Sequence, residues 1–239
     1  MTIRANCLPR CPGGPVSKSA ASVVWQPFSI ALPEGRTIAG LCDPAGAASF
    51  TLLLLHERSR DLDQCAGLLG HLPFGQMRRL ALDLPGCGLS DDPRDERDAE
   101  TMLHAFLDII SDDMQHPLVI VALGDTAPLA WRLASHPAVV GLGLVSPFAE
   151  EAVLPRLPPR LSLIGFVAHE DKQGIADWGR LRRSAGCRWL EVSMAVTRAE
   201  LLDPTGSVKS QVASHLSGFA RDAFSIAKLT HPGWKRNLR

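Results

Sequence analysis

Four short stretches of this chain place reactive side chains where chemistry is feasible. They are His56-Glu57 after the apolar run TLLLL, Gly124-Asp125-Thr126 after LVIVAL, His169-Glu170-Asp171 after LSLIGFVA, and Cys87 in the turn DLPGCGLS. An aspartate such as Asp125 can attack carbon and form an ester that is later hydrolysed, or it can activate a water; either route needs a base. His56 is a candidate imidazole for that task and Asp171 a candidate acid beside it, while Glu57, Gly124, Thr126 and His169 are candidates to contact a ligand. If the side chains converge, the acidic, histidine-containing pocket would also suit a divalent metal or a cationic ligand. The plainer alternative is a set of solvated loop residues, one or two of them hydrogen-bonding each other. No metal and no cofactor is expected. A small half-buried thiol is the expectation for Cys87.

The elements that must position these residues belong to one domain, since 239 residues of a parallel α/β chain bury enough surface to be stable without disulfides or metals. Lys+Arg of 25 balance Asp+Glu of 25, so long-range electrostatics gives no support to a nucleic-acid or anionic-membrane partner. The longest apolar runs fall far below the ~20 residues of a membrane helix. The opening MTIRANCLPRCPGGP lacks the uninterrupted apolar core of a signal peptide, and the six scattered cysteines read as free thiols in a cytoplasmic protein. Cys7 and Cys11 could be half of a metal site, but no second pair at ligand spacing exists.

Residues 1–22, rich in Pro, Gly and Ser, read as a flexible arm, and the domain as residues 23–239, with a C-terminal extension from about 225. Short apolar strands alternate with helical patterns from VVWQPFSIAL onward, which predicts right-handed crossovers and a parallel sheet covered on both faces. The first two strands, joined by PEGR with Gly35 in the turn, predict an antiparallel hairpin at one edge. Pro155, Pro158 and Pro159 forbid a long helix between residues 148 and 160. A final helical tract begins near Gly206, and there His215 has the spacing of ordinary helix packing.

Three segments carry a resemblance to the α/β-hydrolase superfamily over about Val24 to Phe224. LLLLHERSRDLDQCAGLL (52–69) resembles the third strand, the His-Gly oxyanion turn and the helix after it; LALDLPGCGLSDD (80–92) is similar to D-x-P-G-H-G-x-S, with Asp83, Pro85, Gly86, Gly88 and Ser90 at their places; VIVALGDTAPLAWRLASHP resembles the nucleophile-elbow strand and helix. The resemblance implies a mostly parallel eight-stranded sheet with helices on both faces, and the short segment 148–160 leaves no room for a cap domain.

The resemblance also sets out what should carry chemistry. Aligned without a gap, Gly124 takes the nucleophile position of G-x-S-x-G, with Ala122 and Thr126 for the flanking glycines. Sliding the frame by one residue puts Asp125 there, as in the dehalogenase and epoxide-hydrolase branches, and leaves Pro128 in the first turn of the helix, where it is tolerated. AHED resembles the G-x-x-D after the seventh strand, so Asp171 matches the triad acid. The stretch LEVSMAVTRAELLDP, Leu190 to Pro204, where the general base belongs, contains no histidine. At the oxyanion turn Glu57 replaces glycine, and its carboxylate would oppose the charge that such a turn stabilises. Two classes of function follow. One is a non-catalytic binding or partner subunit that takes a protein partner, a second copy of itself or a small-molecule ligand, with Trp234 as a docking anchor. The other is a hydrolase of esters, amides or haloacids with a rearranged site using Asp125, His56 and Asp171.

Overall fold

The computed structural model describes residues 25–43, 48–72, 77–114, 116–149, 154–203 and 206–230. The arm 1–22 with Cys7 and Cys11, residues 150–153 of the proline-rich segment, and Trp234 lie outside the described residues.

Eight strands form one sheet: β1 (Gln26–Ala31), β2 (Thr37–Cys42), β3 (Phe50–Leu55), β4 (Met77–Leu82), β5 (Leu118–Leu123), β6 (Val139–Val145), β7 (Ser162–Ala168) and β8 (Arg188–Met194). Their order is β1-β2-β4-β3-β5-β6-β7-β8. β1 pairs antiparallel with β2, as the PEGR turn predicted, with Gly35 at φ +83°; β2 is also antiparallel to β4, and every later pairing is parallel. Residues of β3, β5 and β6 are buried without exception, because α1 (Leu62–Leu69) and α6 (Gly206–Thr230) cover one face and α2 (Glu96–Met114), α3 (Ala127–Leu133) and α4 (Lys172–Ala185) the other. The period of two is visible within β3: Leu53 and Leu55 join Phe106 and Trp131 in one half of the core, while Leu52 and Leu54 join Leu68 and Leu216 in the other. His215 on α6 meets Phe166 edge-on, with ring centroids 6.3 Å apart, which fits helix packing.

Coverage on both faces fails at β8. Trp189 and Leu190 remain 49% and 52% exposed, because this strand is an edge of the sheet, opposite β1, and only its last residue, Met194, is buried. Helix α4 begins earlier than its apolar pattern indicates, because Asp171 caps it by accepting the Gly174 N–H at 2.9 Å. A further short helix, α5 (Arg198–Leu202), opens with a capping box between Thr197 and Glu200. No helix lies among the described residues between β6 and β7, and none of the described helices is long and apolar enough to cross a membrane.

The edge hairpin is tied to the body by Arg36, which donates to both carboxylate oxygens of Asp98 in the first turn of α2. The Arg36 guanidinium holds the Asp98 carboxyl down at about 2. A carboxylate depressed in the folded state adds stability above its unfolded value of about 4 and loses it as pH falls through about 2. Asp98→Asn is therefore expected to lower the melting temperature at neutral pH, with the gap to wild type narrowing as pH falls from about 4 to about 2. Melting curves across that range check it.

Candidate functional site

At the carboxyl edge of the sheet the buried strand β5 is followed directly by Gly124, whose φ of +55° is a left-handed conformation that only glycine adopts cheaply. A 3-10 turn over Gly124–Thr126 follows, and α3 begins with Pro128 in its first turn. The completely buried Thr126 donates its hydroxyl to the Leu123 carbonyl at 2.8 Å, so it braces the turn from beneath instead of facing a ligand. The apex of this strand-turn-helix unit is thus Gly124, the position that the ungapped alignment gives to a nucleophile, while Asp125 has an ordinary negative φ.

The space a nucleophile would use is occupied. A Cβ on Gly124 would run into the Glu57 carboxylate, lying 2.7 Å from Cδ and 2.8 Å from Cγ. Gln64, in the first turn of α1, holds Glu57 there. Its Oε1 accepts the Glu57 backbone N–H at 2.8 Å, and its Nε2 donates to the Glu57 carboxylate at 2.9 Å and to the Leu202 carbonyl at 3.1 Å. The next backbone N–H, from Arg58, is taken by Asp125 Oδ1 at 3.0 Å. The Glu57 and Arg58 N–H groups of the turn after β3, placed where such a turn offers a donor to an oxyanion, therefore already serve side chains of this chain.

The base expected in His56 is corrected by the geometry. The imidazole is completely buried, and its Nδ1 lies 2.7 Å from the Glu57 carbonyl, which can only accept, so Nδ1 carries the proton. Nε2 then accepts the Leu84 N–H at 3.2 Å. With both nitrogens bound to backbone, His56 is a brace between the turns after β3 and β4, and no histidine among the described residues hydrogen-bonds Asp125.

Asp171 stands where the alignment places the acid. Besides capping α4 it receives the Ser146 hydroxyl at 3.4 Å and lies 3.6 Å from Arg198. Ser146 is completely buried at φ +46°, a conformation costing a non-glycine residue roughly 1–2 kcal/mol, and it holds its backbone N–H on the Phe166 carbonyl at 2.8 Å. Arg198, the first residue of α5, comes from the stretch after β8 where a histidine was sought, and its guanidinium also lies over the Phe148 ring, 5.6 Å from the centroid. An arginine stays protonated and cannot accept a proton from a nucleophile.

The structure thus assembles Glu57, Gly124 and Asp125 at the elbow and sets Asp171 with Ser146 and Arg198. His169 is exposed, and its imidazole makes no hydrogen bond among the described residues. Gln64, Ser146 and Arg198 escaped the sequence reading. Nothing in the local pattern marks the first two; Arg198 lies in the segment searched for a base, but a guanidinium is no base. Cys87 is half-buried near the Arg58 carbonyl, and no group of three or more His, Cys, Asp or Glu able to hold a metal exists among the described residues.

No family model matches the sequence, and no curated protein matches it either. Solved structures do. A CIB-like hydrolase from Thermoplasma acidophilum is 14% identical, with 84% of this chain and 99% of that chain covered and a TM-score of 0.62. The monoglyceride lipase of Saccharomyces cerevisiae is 12% identical, with coverage of 88% and 98% and a TM-score of 0.65. The bottromycin epimerase BotH is 18% identical, with coverage of 80% and 99% and a TM-score of 0.62. Together with the eight-stranded topology, these likenesses show that the chain has the α/β-hydrolase fold.

Two outcomes test this geometry. Gly124→Ser is expected to destabilise the protein by at least ~1–3 kcal/mol through backbone strain and collision with Glu57. Combined with Glu57→Gly it should cost less than the sum of the two single changes, because the second change empties the space the first one fills. Denaturant midpoints measure both, and strict additivity would rule out the occupied elbow. Burial, and secondarily the Asp83 carboxylate, pushes the Cys87 thiol up, with Arg58 partly opposing. Thiolate is the reactive form, so Cys87 should alkylate more slowly than free cysteine at neutral pH, and more slowly still in Arg58→Gln. Iodoacetamide labelling followed by peptide mass analysis reads the rates.

Proposed function

We propose that this protein is a non-catalytic binding or partner subunit built on the α/β-hydrolase fold. The observation that carries the reading is the Glu57 carboxylate lying in the space a nucleophile on residue 124 would fill. Acyl transfer needs a nucleophile, donors for the oxyanion and a proton acceptor. Here Glu57 stands against the first, Gln64 and Asp125 take the Glu57 and Arg58 N–H donors of the β3 turn, and Arg198 pairs with the acid where a base would be. The Glu57–Gln64 and Asp125–Arg58 replacements satisfy neighbouring polar groups through hydrogen bonds, and Arg198 adds a charge attraction to Asp171. The epimerase neighbour, by its name, carries a function other than hydrolysis on the same fold, and a site without hydrolysis can still bind.

The competing reading, a hydrolase in which Asp125 attacks with help from His56, loses support at both residues. One Asp125 oxygen is engaged by the Arg58 N–H, and both His56 nitrogens are engaged by backbone. The partner is expected to be a protein, a second copy of this chain or a small molecule, met in the cytoplasm.

The protein is expected to take no label from active-site serine probes and to turn over neither short acyl esters nor haloacids, and Asp125→Asn should fold as wild type does. Turnover that disappears in Asp125→Asn at unchanged melting temperature would establish the hydrolase instead.

A further inference from the structure

Beside the elbow lies an open cleft of about 660 Å³, walled by the turn after β3 and by α5, with Glu57, Arg60, Arg198, Glu200 and Asp203 on its surface. That volume is in the range of small-molecule sites, and the carboxyl edge is where open α/β sheets bind ligands. Its charged groups differ in how far they are already engaged. Glu57 is held by Gln64. Glu200 accepts the Thr197 N–H and hydroxyl, each at 2.8 Å, and those two bonds hold its carboxyl below the usual range. Neither Arg60 nor Arg198 donates a side-chain hydrogen bond to any described residue. The single polar contact of the Arg198 guanidinium among them is with Asp171 at 3.6 Å, beyond hydrogen-bonding distance. Two guanidinium groups with open N–H donors therefore face one cleft alongside three carboxylates, of which Glu57 and Glu200 keep their charge but already accept hydrogen bonds, while the Asp203 side chain has no hydrogen-bonding partner among the described residues.

Arg198 is also oriented before any ligand arrives. Asp171 attracts it from one side and the Phe148 ring lies beneath it, while its side chain keeps 33% exposure. A planar fork fixed in this way matches the two oxygens of a carboxylate or phosphate, and little rotamer freedom is left to lose on binding.

We infer that the cleft between the β3 turn and α5 binds a small oxyanion-bearing ligand, a carboxylate or phosphate, through Arg198 and Arg60. This rests on the reading of the site as non-catalytic and gives its ligand a chemical class: an acid, where a hydrolase would take the ester. The carboxylates of Glu57 and Asp125 keep the anionic group away from the elbow and on the arginine side.

The test is a thermal-shift titration of the full chain with sodium acetate and with inorganic phosphate, each against sodium chloride at matched ionic strength. A ligand that binds only the folded state raises the melting temperature saturably. Stabilisation beyond chloride is expected from at least one probe; acetate alone marks a planar carboxylate site, phosphate alone a tetrahedral one. Arg198→Gln should weaken the apparent affinity about tenfold, the worth of one charge-assisted fork. Arg60→Gln should weaken it several-fold, Arg198→Lys should fall between wild type and Arg198→Gln, and Arg97→Gln on the exposed face of α2 should leave it unchanged. If Arg198→Gln does not fold, Arg198→Lys and Arg60→Gln decide. No effect beyond chloride, or equal effects in wild type and the arginine variants, overturns the inference. Ester turnover is measured on the same samples: turnover sinks the non-catalytic reading, whereas its absence together with a flat titration sinks the cleft alone.

Discussion

The Glu57 carboxylate over Gly124 is the constraint on which the arrangement of the carboxyl edge depends. A carboxylate this close to a backbone apex is tolerable only because residue 124 has no side chain. It stays in place because Gln64 ties both its backbone N–H and its carboxylate to α1, and ties α1 in turn to the Leu202 carbonyl at the end of α5. One amide side chain therefore links the turn after β3, the first helix and the segment after β8. That coupling fixes the wall of the cleft carrying Arg60 relative to the wall carrying Arg198.

A second network, centred on Asp171, is independent of the first in its contacts. The residue begins α4, receives the hydroxyl of a strained Ser146 and attracts Arg198. Strain at Ser146 persists because the residue is completely buried and its N–H is fixed on β7. The acid is thus kept in position by the fold itself, through a helix cap and a strand end.

Most of the fold was legible in the sequence, because buried parallel strands write themselves as uninterrupted apolar runs and the turn chemistry of Gly35, Pro85-Gly86 and Gly124 punctuates them. Strand β8 was legible as a strand but not as an edge, since an apolar run does not say whether a neighbour covers it. At the site, the resemblance pointed to Gly124, Asp125 and Asp171, because strand-end turns carry their own local pattern. The role assigned to His56 was not, because a histidine at a strand end looks the same in sequence whether its nitrogens face a ligand or two backbone groups. Gln64 and Arg198 were hidden for a related reason: their partners are distant along the chain, seven residues away for Glu57 and Gln64 and far more for Asp171 and Arg198.

The left-handed glycine at the apex also bears on mutational reachability. Any path by point mutation toward a serine enzyme would meet its first obstacle at residue 124, where the new side chain collides with Glu57 before it can contribute activity. Clearing Glu57 first would remove one of the three hydrogen bonds of the Gln64 amide, and neither step supplies a proton acceptor beside Asp171. Gly124→Ser taken as a first step would thus lower stability, and a protein near its stability threshold has little margin for it. The order of changes therefore matters at this turn: Glu57 would have to give way before residue 124 could carry a side chain without a collision.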